Sequence, residues 1–340
     1  MSTAPILAAG DQFILPELME AAIHARVGED QPVRRLSLPW PSVPFGPVAE
    51  VREAAGDEDG LIESLEGVEI AVTHLAPFTR RVFEEAPGLR LVVVSRGGPV
   101  NVNLAAAAEH GVTVCYAPGR NANAVAEFTI GLIIATCRNL VASRTAVTDG
   151  SWHGKYFDHG HSGMEIGGSR VGLVGYSAVG RLVGRLLSAF GATVSAYDPY
   201  VTDYSDGVHK VDTLDELLAG SQILSLHQRL TPQTRNMIGA AELAKLPEGA
   251  IVINTARGGV LDYEALYEAL NSGHLAGAGL DVFDTEPVPK GSRLLDLPQV
   301  VATPHIAGCS RQVADTAARI CAAEVERFLS GKPPANPASP

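Results

Sequence analysis

Residues 171–200 read VGLVGYSAVGRLVGRLLSAFGATVSAYDPY, and the architecture of the chain follows from them. Val171 to Val174 is a short apolar run that enters a turn marked by Gly175 and Gly180. Val179, Leu182, Val183, Leu186, Leu187 and Phe190 then recur at helical spacing, a second apolar run follows Gly191, and Asp198 stands at its end. Strand, glycine turn, helix, strand and acid in that order form the unit that binds a dinucleotide. Gly175 permits a tight turn and Gly180 a close approach of helix to strand. The helix start offers unpaired N–H groups to a pyrophosphate. Asp198 lies 23 positions beyond Gly175, close to the usual spacing of about 20, where a carboxylate accepts bonds from a ribose and repels a 2′-phosphate. NAD is therefore expected rather than NADP. The middle glycine of the motif is replaced by Ser177, whose hydroxyl can itself donate to a phosphate oxygen.

The rest of the chain extends this unit in both directions. Apolar runs at Ile70–Thr73, Leu91–Val94 and Val112–Cys115 precede it, with a helix predicted near Thr79–Ala86. A helical pattern from Asn121 past Asn139 leads into it. After Asp198, strands are predicted at Ile223–Leu226, Ile251–Asn254, Ala276–Asp281 and Val300–Thr303. Helices are predicted at Leu214–Leu218, from Ala240, at Tyr263–Ser272 and at Ser310–Leu329. Alternating strands and helices imply an α/β fold with doubly wound parallel sheets. The prolines of Ser37–Pro47 exclude a central strand or helix there and predict a surface excursion. The proline-rich tail from Lys332 is expected to fray.

Composition narrows the function. A chain of 340 residues with 46% hydrophobic and 19% charged residues is long enough for two globular domains. A net charge of −12 argues against nucleic acid as a partner and against anionic membranes. Cys115, Cys137, Cys309 and Cys321 form no metal or redox spacing, which suits a reducing compartment. No secretory leader and no membrane-length apolar run are evident, so a cytoplasmic location is expected. His153, His159 and His161 fall in an aperiodic Gly-rich stretch and match no ligand spacing, so no metal site is expected.

Ligands of open α/β sheets bind beyond the carboxyl ends of the strands. At those ends this sequence places Arg257 (in NTARGG), Asp281 and Glu286 (in LDVFDTEP), His305 (in TPHIAG) and His227 (in SLHQRLTPQTR). A guanidinium can bind a carboxylate and polarise a neighbouring carbonyl. A histidine can protonate that carbonyl as hydride arrives, and a carboxylate can orient the histidine.

These residues carry a resemblance to the D-isomer-specific 2-hydroxyacid dehydrogenases, the family of phosphoglycerate, glycerate and D-lactate dehydrogenases. It runs from about Val68 to Leu329 through SRGGPVNVNL, NAVAEFTIGLIIATCRN, YDPY, SLHQRLTPQTRNMI, INTARGGVLD, GAGLDVFDTEP and TPHIAG. The resemblance implies an NAD-dependent dehydrogenase of small 2-hydroxy or 2-oxo acids. Arg257, Glu286 and His305 fall on the family's catalytic triad. The cofactor would touch Gly175, Tyr176, Ser177, Ala178, Val179, Gly180, Asp198, His227, Thr255, Ala256, Arg257, Asp281 and His305, with Asp281 on the nicotinamide carboxamide. The substrate would touch Leu75, Ala76, Gly97, Gly98 and Arg257, and Arg96 is either an additional anion contact or a structural ion pair.

The same resemblance implies two Rossmann- or flavodoxin-like domains. Residues 120–307 would form the cofactor domain, inserted into a substrate domain of residues 1–119 and 308–340, with the active site in a cleft that closes by a hinge. A homodimer joined through the cofactor domain is also implied. Formate dehydrogenases, which lack the glutamate, are disfavoured by Glu286. NAD-sensing corepressor-like modules share the fold and the triad, and form the alternative to an enzyme.

Overall fold

In the computed structural model, which describes residues 4–40, 46–204 and 207–339, the chain divides into two units. Unit 1 comprises residues 1–121 and 310–340, and unit 2 comprises 122–309. Residues 41–45 of the expected excursion at Ser37–Pro47 lie outside the described residues.

Unit 1 is built on a five-stranded parallel sheet in the order β2-β1-β3-β4-β5. Its strands are β1 (Ile6–Gly10), β2 (Val33–Ser37), β3 (Ile70–Thr73), β4 (Leu91–Val94) and β5 (Thr113–Tyr116). Helices α1 (Pro16–Val27), α2 (Glu58–Ser64), α3 (Arg80–Glu85) and α4 (Leu104–Glu109) connect them. Every residue of β1, β3 and β4 is buried, as expected for parallel strands covered on both faces. The last helix of the chain, α11 (Arg311–Leu329), packs its Ala314, Ala317, Cys321 and Val325 into the core beside Ile6, Ile70 and Val93.

The tail does not fray. Glu324, only 2% exposed, accepts hydrogen bonds from the Ala335 N–H (3.1 Å), the Asn336 N–H (3.0 Å) and the Asn336 side-chain amide (2.7 Å). The Tyr116 N–H donates to the Asn336 carbonyl and the Ala338 N–H to the Val114 carbonyl, so the tail lies antiparallel along β5 and covers an otherwise open sheet edge.

Unit 2 holds a seven-stranded parallel sheet in the order β12-β11-β10-β9-β6-β7-β8. Its strands are β6 (Arg170–Val174), β7 (Thr193–Tyr197), β8 (His209–Lys210), β9 (Ile223–Leu226), β10 (Ala250–Asn254), β11 (Leu275–Leu280) and β12 (Val300–Ala302). Its helices are α5 (Ala122–Cys137), α6 (Leu140–Thr148), α7 (Ala178–Ala189), α8 (Leu214–Gly220), α9 (Ala240–Leu243) and α10 (Tyr263–Asn271). The helical pattern from Asn121 past Asn139 is therefore two helices, broken where Asn139 takes a left-handed φ of 54°. Helix α5 buries Val125, Ile130, Leu132 and Ile133 against the sheet, and no single described helix is long and apolar enough to cross a membrane.

Candidate active site

The carboxyl ends of six successive strands deliver the candidate residues along one edge of the unit 2 sheet. In spatial order these are His305 after β12, Asp281 and Glu286 after β11, Arg257 after β10, His227 after β9, the Gly175 turn after β6 and Asp198 after β7. The chain reverses its direction of winding between β6 and β9, so the glycine turn and His227 flank the switch point, where ligands of such sheets bind.

At the switch point the backbone is too crowded for side chains. Gly175 has a φ of +93°, and a Cβ there would lie 2.6 Å from the Gln228 nitrogen. A Cβ on Gly180 would lie 2.3 Å from the Gly175 carbonyl oxygen, which shows how closely α7 starts against the turn. Ser177 is the N-cap of α7 with its side chain exposed and making no capping bond. The first α7 residue to donate within the helix register is Arg181, to the Ser177 carbonyl. The Ala178, Val179 and Gly180 N–H groups before it have no carbonyl partner within the helix, an arrangement that suits an anion.

The two residues whose backbone abuts the turn, His227 and Gln228, carry buried polar atoms without partners. The His227 Nε2 meets the Ser225 hydroxyl at 3.0 Å, but its Nδ1 has no partner, nor do the oxygen and nitrogen of the Gln228 side-chain amide. An orphaned buried polar atom costs about 1–3 kcal/mol, so three on the residues next to the turn fit a polar ligand that completes them. Burial pushes the His227 imidazole down to about 4, so it is neutral at physiological pH. Asp198 accepts the Tyr176 N–H on one carboxylate oxygen (2.8 Å) and the Tyr200 N–H on the other (2.9 Å), leaving further lone pairs for a ribose. Tyr176 is fully buried, stacked on Tyr204 at 4.7 Å, so only its backbone faces the turn. These residues fit a dinucleotide: a glycine cradle, free helix-start amides and unpaired buried donors and acceptors.

Arg257, Glu286 and His305 come together at the other end of the edge. The His305 Nδ1 and the Glu286 Oε2 lie 2.8 Å apart, and the Phe283 N–H donates to the Glu286 Oε1 at 2.9 Å. Burial works to raise the Glu286 carboxyl. The His305 bond, the Phe283 N–H and the charges of His305 and Arg257 outweigh it and hold Glu286 below the usual carboxylate range. Glu286 is thus an acceptor at neutral pH, and the His305 Nδ1 carries the proton between them. Half of the His305 side chain is exposed, and its backbone φ is +56°. Arg257 is exposed, with one guanidinium N–H on the neighbouring Ala256 carbonyl (2.7 Å).

Four residues outside the sequence-based set hold this end together. Asn254, fully buried at the end of β10, accepts the Ala256 N–H and donates to the Arg257 carbonyl (3.1 Å) and the Tyr263 hydroxyl (3.2 Å). Tyr263 passes the link on by donating to the Val282 carbonyl. Gly258 presses against the Phe283 carbonyl, where a Cβ would sit at 1.8 Å. The Arg257 loop and the Glu286 loop are therefore fixed to each other. Thr303, the fourth, donates its hydroxyl to the Asp281 carboxylate at 2.7 Å. Thr255 is buried, with its hydroxyl on Thr129 (2.8 Å).

In unit 1 the residues matched to substrate contacts sit at the carboxyl edge of its own sheet. Leu75 and Ala76 are fully buried, and both backbone groups of Ala76 are engaged, the N–H by the Thr73 hydroxyl and the carbonyl by the Asn101 amide. The Gly97 and Gly98 N–H groups have no partner among the described residues. Arg96 makes an ion pair with Glu53 and a 3.0 Å bond to its carbonyl. Beside them is a pair absent from the sequence-based set: the His74 Nδ1 lies 2.6 Å from the Asp11 Oδ2, both residues buried. Burial holds His74 below its usual range despite the opposing effect of Asp11.

Comparison with known proteins gives the family of the chain. Residues 130–307 match the family model described as D-isomer specific 2-hydroxyacid dehydrogenase, NAD binding domain. The chain is 36% identical over 288 residues to a glycerate dehydrogenase of Methylorubrum extorquens, covering 83% of this chain and 89% of that one. It is 36% identical over 290 residues to the D-3-phosphoglycerate dehydrogenase of Methanocaldococcus jannaschii, covering 84% of this chain but only 54% of the relative, so it spans about half that enzyme's length. Among solved structures, the pyruvate reductase of Chlamydomonas reinhardtii superposes with a TM-score of 0.76 at 28% identity, over 98% of each chain. The chain belongs to the D-isomer specific 2-hydroxyacid dehydrogenase family, and residues 130–307 form its NAD-binding domain.

Proposed function

We propose that this protein interconverts a small 2-oxo acid and its D-2-hydroxy acid, with His305 as the acid/base, Glu286 as its partner and Arg257 as the anchor for substrate. The observation that carries the reading is the 2.8 Å Glu286–His305 contact on the same strand-end row as a dinucleotide cradle. NAD, when bound, supplies or takes the hydride at substrate C2. Arg257 binds the carboxylate and draws electron density from the adjacent carbonyl. His305, its Nδ1 proton held by Glu286, offers Nε2 to the carbonyl oxygen and gives up a proton as charge develops there. In oxidation the same nitrogen removes the hydroxyl proton.

The cofactor contacts in this reading are Gly175 through Gly180, Asp198, His227, Thr255, Ala256 and Asp281. Asp198 selects NAD, because a 2′-phosphate beside its carboxylate would be repelled. The unpartnered Gly97 and Gly98 amides suit a substrate carboxylate. Arg96, neutralised by Glu53, adds little to the binding of a phosphorylated acid. A small unphosphorylated acid is the substrate class that follows. Turnover of glyoxylate, hydroxypyruvate, pyruvate and 3-phosphohydroxypyruvate with NADH tests this. Reduction of at least one is expected, whereas tight NADH binding with no turnover on any would support a sensor instead.

The proposal includes a homodimer formed through unit 2. Its support is an apolar surface on α6 and the segment after it, where Leu140, Val141, Val147, Trp152 and Phe157 are between 49% and 82% exposed. A second copy covering that face would bury it. Light scattering on the eluting protein should give twice the chain mass; a monomer at micromolar concentration would refute the assignment. The buried thiols of Cys115, Cys137 and Cys321 suit a cytoplasmic protein.

A further inference from the structure

The sheet of unit 1 has a switch point of its own. In the order β2-β1-β3-β4-β5 the winding reverses between β1 and β3, and ligands of open α/β sheets bind in the crevice beyond such strand ends. Asp11 directly follows β1 and His74 directly follows β3, so the buried Asp11–His74 pair stands at that crevice. We propose that the crevice receives the substrate chain beyond C2 and that His74 selects acids with a hydroxyl on C3; this rests on the function proposed above.

The chemistry of the pair determines what it can recognise. The Asp11 Oδ1 accepts the Phe13 N–H at 2.9 Å and the Ile14 N–H at 3.0 Å, while Oδ2 meets the His74 Nδ1 at 2.6 Å. An ionised carboxylate can only accept, so the proton between them belongs to Nδ1. Burial, helped by the positive charges of Arg120 and Arg96, outweighs the pull of Asp11 and holds His74 below its ordinary range. A neutral imidazole with its proton on Nδ1 carries a lone pair on Nε2, which makes no hydrogen bond among the described residues. That atom needs a donor. Thr73 pairs with Val94 in the sheet, which puts Ser95 beside His74. Ser95 is fully buried, and its hydroxyl has no partner among the described residues. Asn101 donates to the Ala76 carbonyl but leaves its own buried side-chain oxygen unpartnered. Polar atoms left unfilled on the segments after β3 and β4 fit a ligand that brings its own hydroxyl. A methyl group would leave Nε2 unpaired, and a phosphate would set acceptor oxygens against it. The fitting substrate is a 2-oxo acid of the hydroxypyruvate type.

Hydroxypyruvate and pyruvate differ by that hydroxyl alone, so the ratio of their kcat/KM values with NADH reads the contact. The wild type should prefer hydroxypyruvate by roughly tenfold or more. His74→Leu should cut the ratio about tenfold, a comparison that cancels the intrinsic reactivities of the two acids. His74→Gln, whose amide still offers an acceptor oxygen, should keep a higher ratio than His74→Leu. Calorimetry of D-glycerate and D-lactate binding to the NADH-loaded protein, in which no hydride transfer occurs, reads the same contact without turnover. If no 2-oxo acid is reduced, the catalytic reading fails by itself, and D-glycerate should still bind more tightly than D-lactate. A wild-type ratio near one, or a ratio unchanged in His74→Leu, would overturn the proposal. Equal affinities for the two hydroxy acids, or binding of neither, would overturn it as well. If His74→Leu does not fold, the wild-type ratio and the two affinities decide.

Discussion

His227 should make the stability of unit 2 depend on pH in a way that one substitution removes. Its imidazole is pushed from an ordinary 6.5 down to about 4 by burial, with Nδ1 left unpartnered. In the unfolded chain the same ring takes up a proton near its ordinary value. Between these values the unfolded state binds more protons, so stability is full above about 6.5 and is lost as pH falls toward 4. A gap of roughly 2.5 pH units corresponds to about 3 kcal/mol in total, of which about 2.5 kcal/mol has been lost at pH about 4.5. Urea unfolding of the cofactor-free protein, followed by circular dichroism at pH about 7.5 and about 4.5, measures the loss. The same pair of measurements on His227→Gln cancels the carboxylates and other histidines common to both proteins. The wild type should lose about 2 to 3 kcal/mol more than the variant. Equal losses within about 0.5 kcal/mol would refute the claim that this imidazole is buried and neutral with its Nδ1 unpartnered.

Three further outcomes follow from the site. Glu286→Gln should move the pH profile of 2-oxo acid reduction toward lower pH, because a protonated His305 loses its anionic partner; an unchanged profile would contradict the pairing. Asp198→Ala should narrow the preference for NADH over NADPH by tenfold or more, about 1.4 kcal/mol, and a preference that stays put would remove Asp198 from cofactor selection. Gly180→Ala places a methyl 2.3 Å from the Gly175 carbonyl oxygen, so α7 must shift. Destabilisation of about 1–3 kcal/mol and a weaker NADH complex are expected, and a variant with wild-type melting and NADH Kd would show that the turn tolerates a side chain.

The parallel strands were legible because strands covered on both faces are written as continuous apolar runs. Ile70–Thr73, Leu91–Val94 and Ile223–Leu226 occur where the sequence placed them. The break at Asn139 was hidden because apolar periodicity continues across it, and only the left-handed backbone marks it. The ordered tail was missed for a different reason: Pro and Ala near the C-terminus read as fraying, but their partner is a buried carboxylate on the preceding helix. At the site, Gly175, Asp198, Arg257, Glu286 and His305 stand out by residue type at strand ends. What holds them does not. Asn254 and Tyr263 look like strand and helix residues, Thr303 like a turn residue, and Asp11 and His74 are 63 positions apart. Such contacts follow from the register of neighbouring strands, which no single segment encodes.

On the proposed function, His305 does the proton chemistry at a site that binds NADH without it. Steady-state reduction of the best 2-oxo acid by wild type and His305→Ala, alongside NADH titration of both proteins, tests this most directly. Turnover should fall by roughly 10² or more in the variant while the NADH Kd stays within about threefold. A variant that turns over at the wild-type rate, or that loses NADH binding in step with activity, would contradict it.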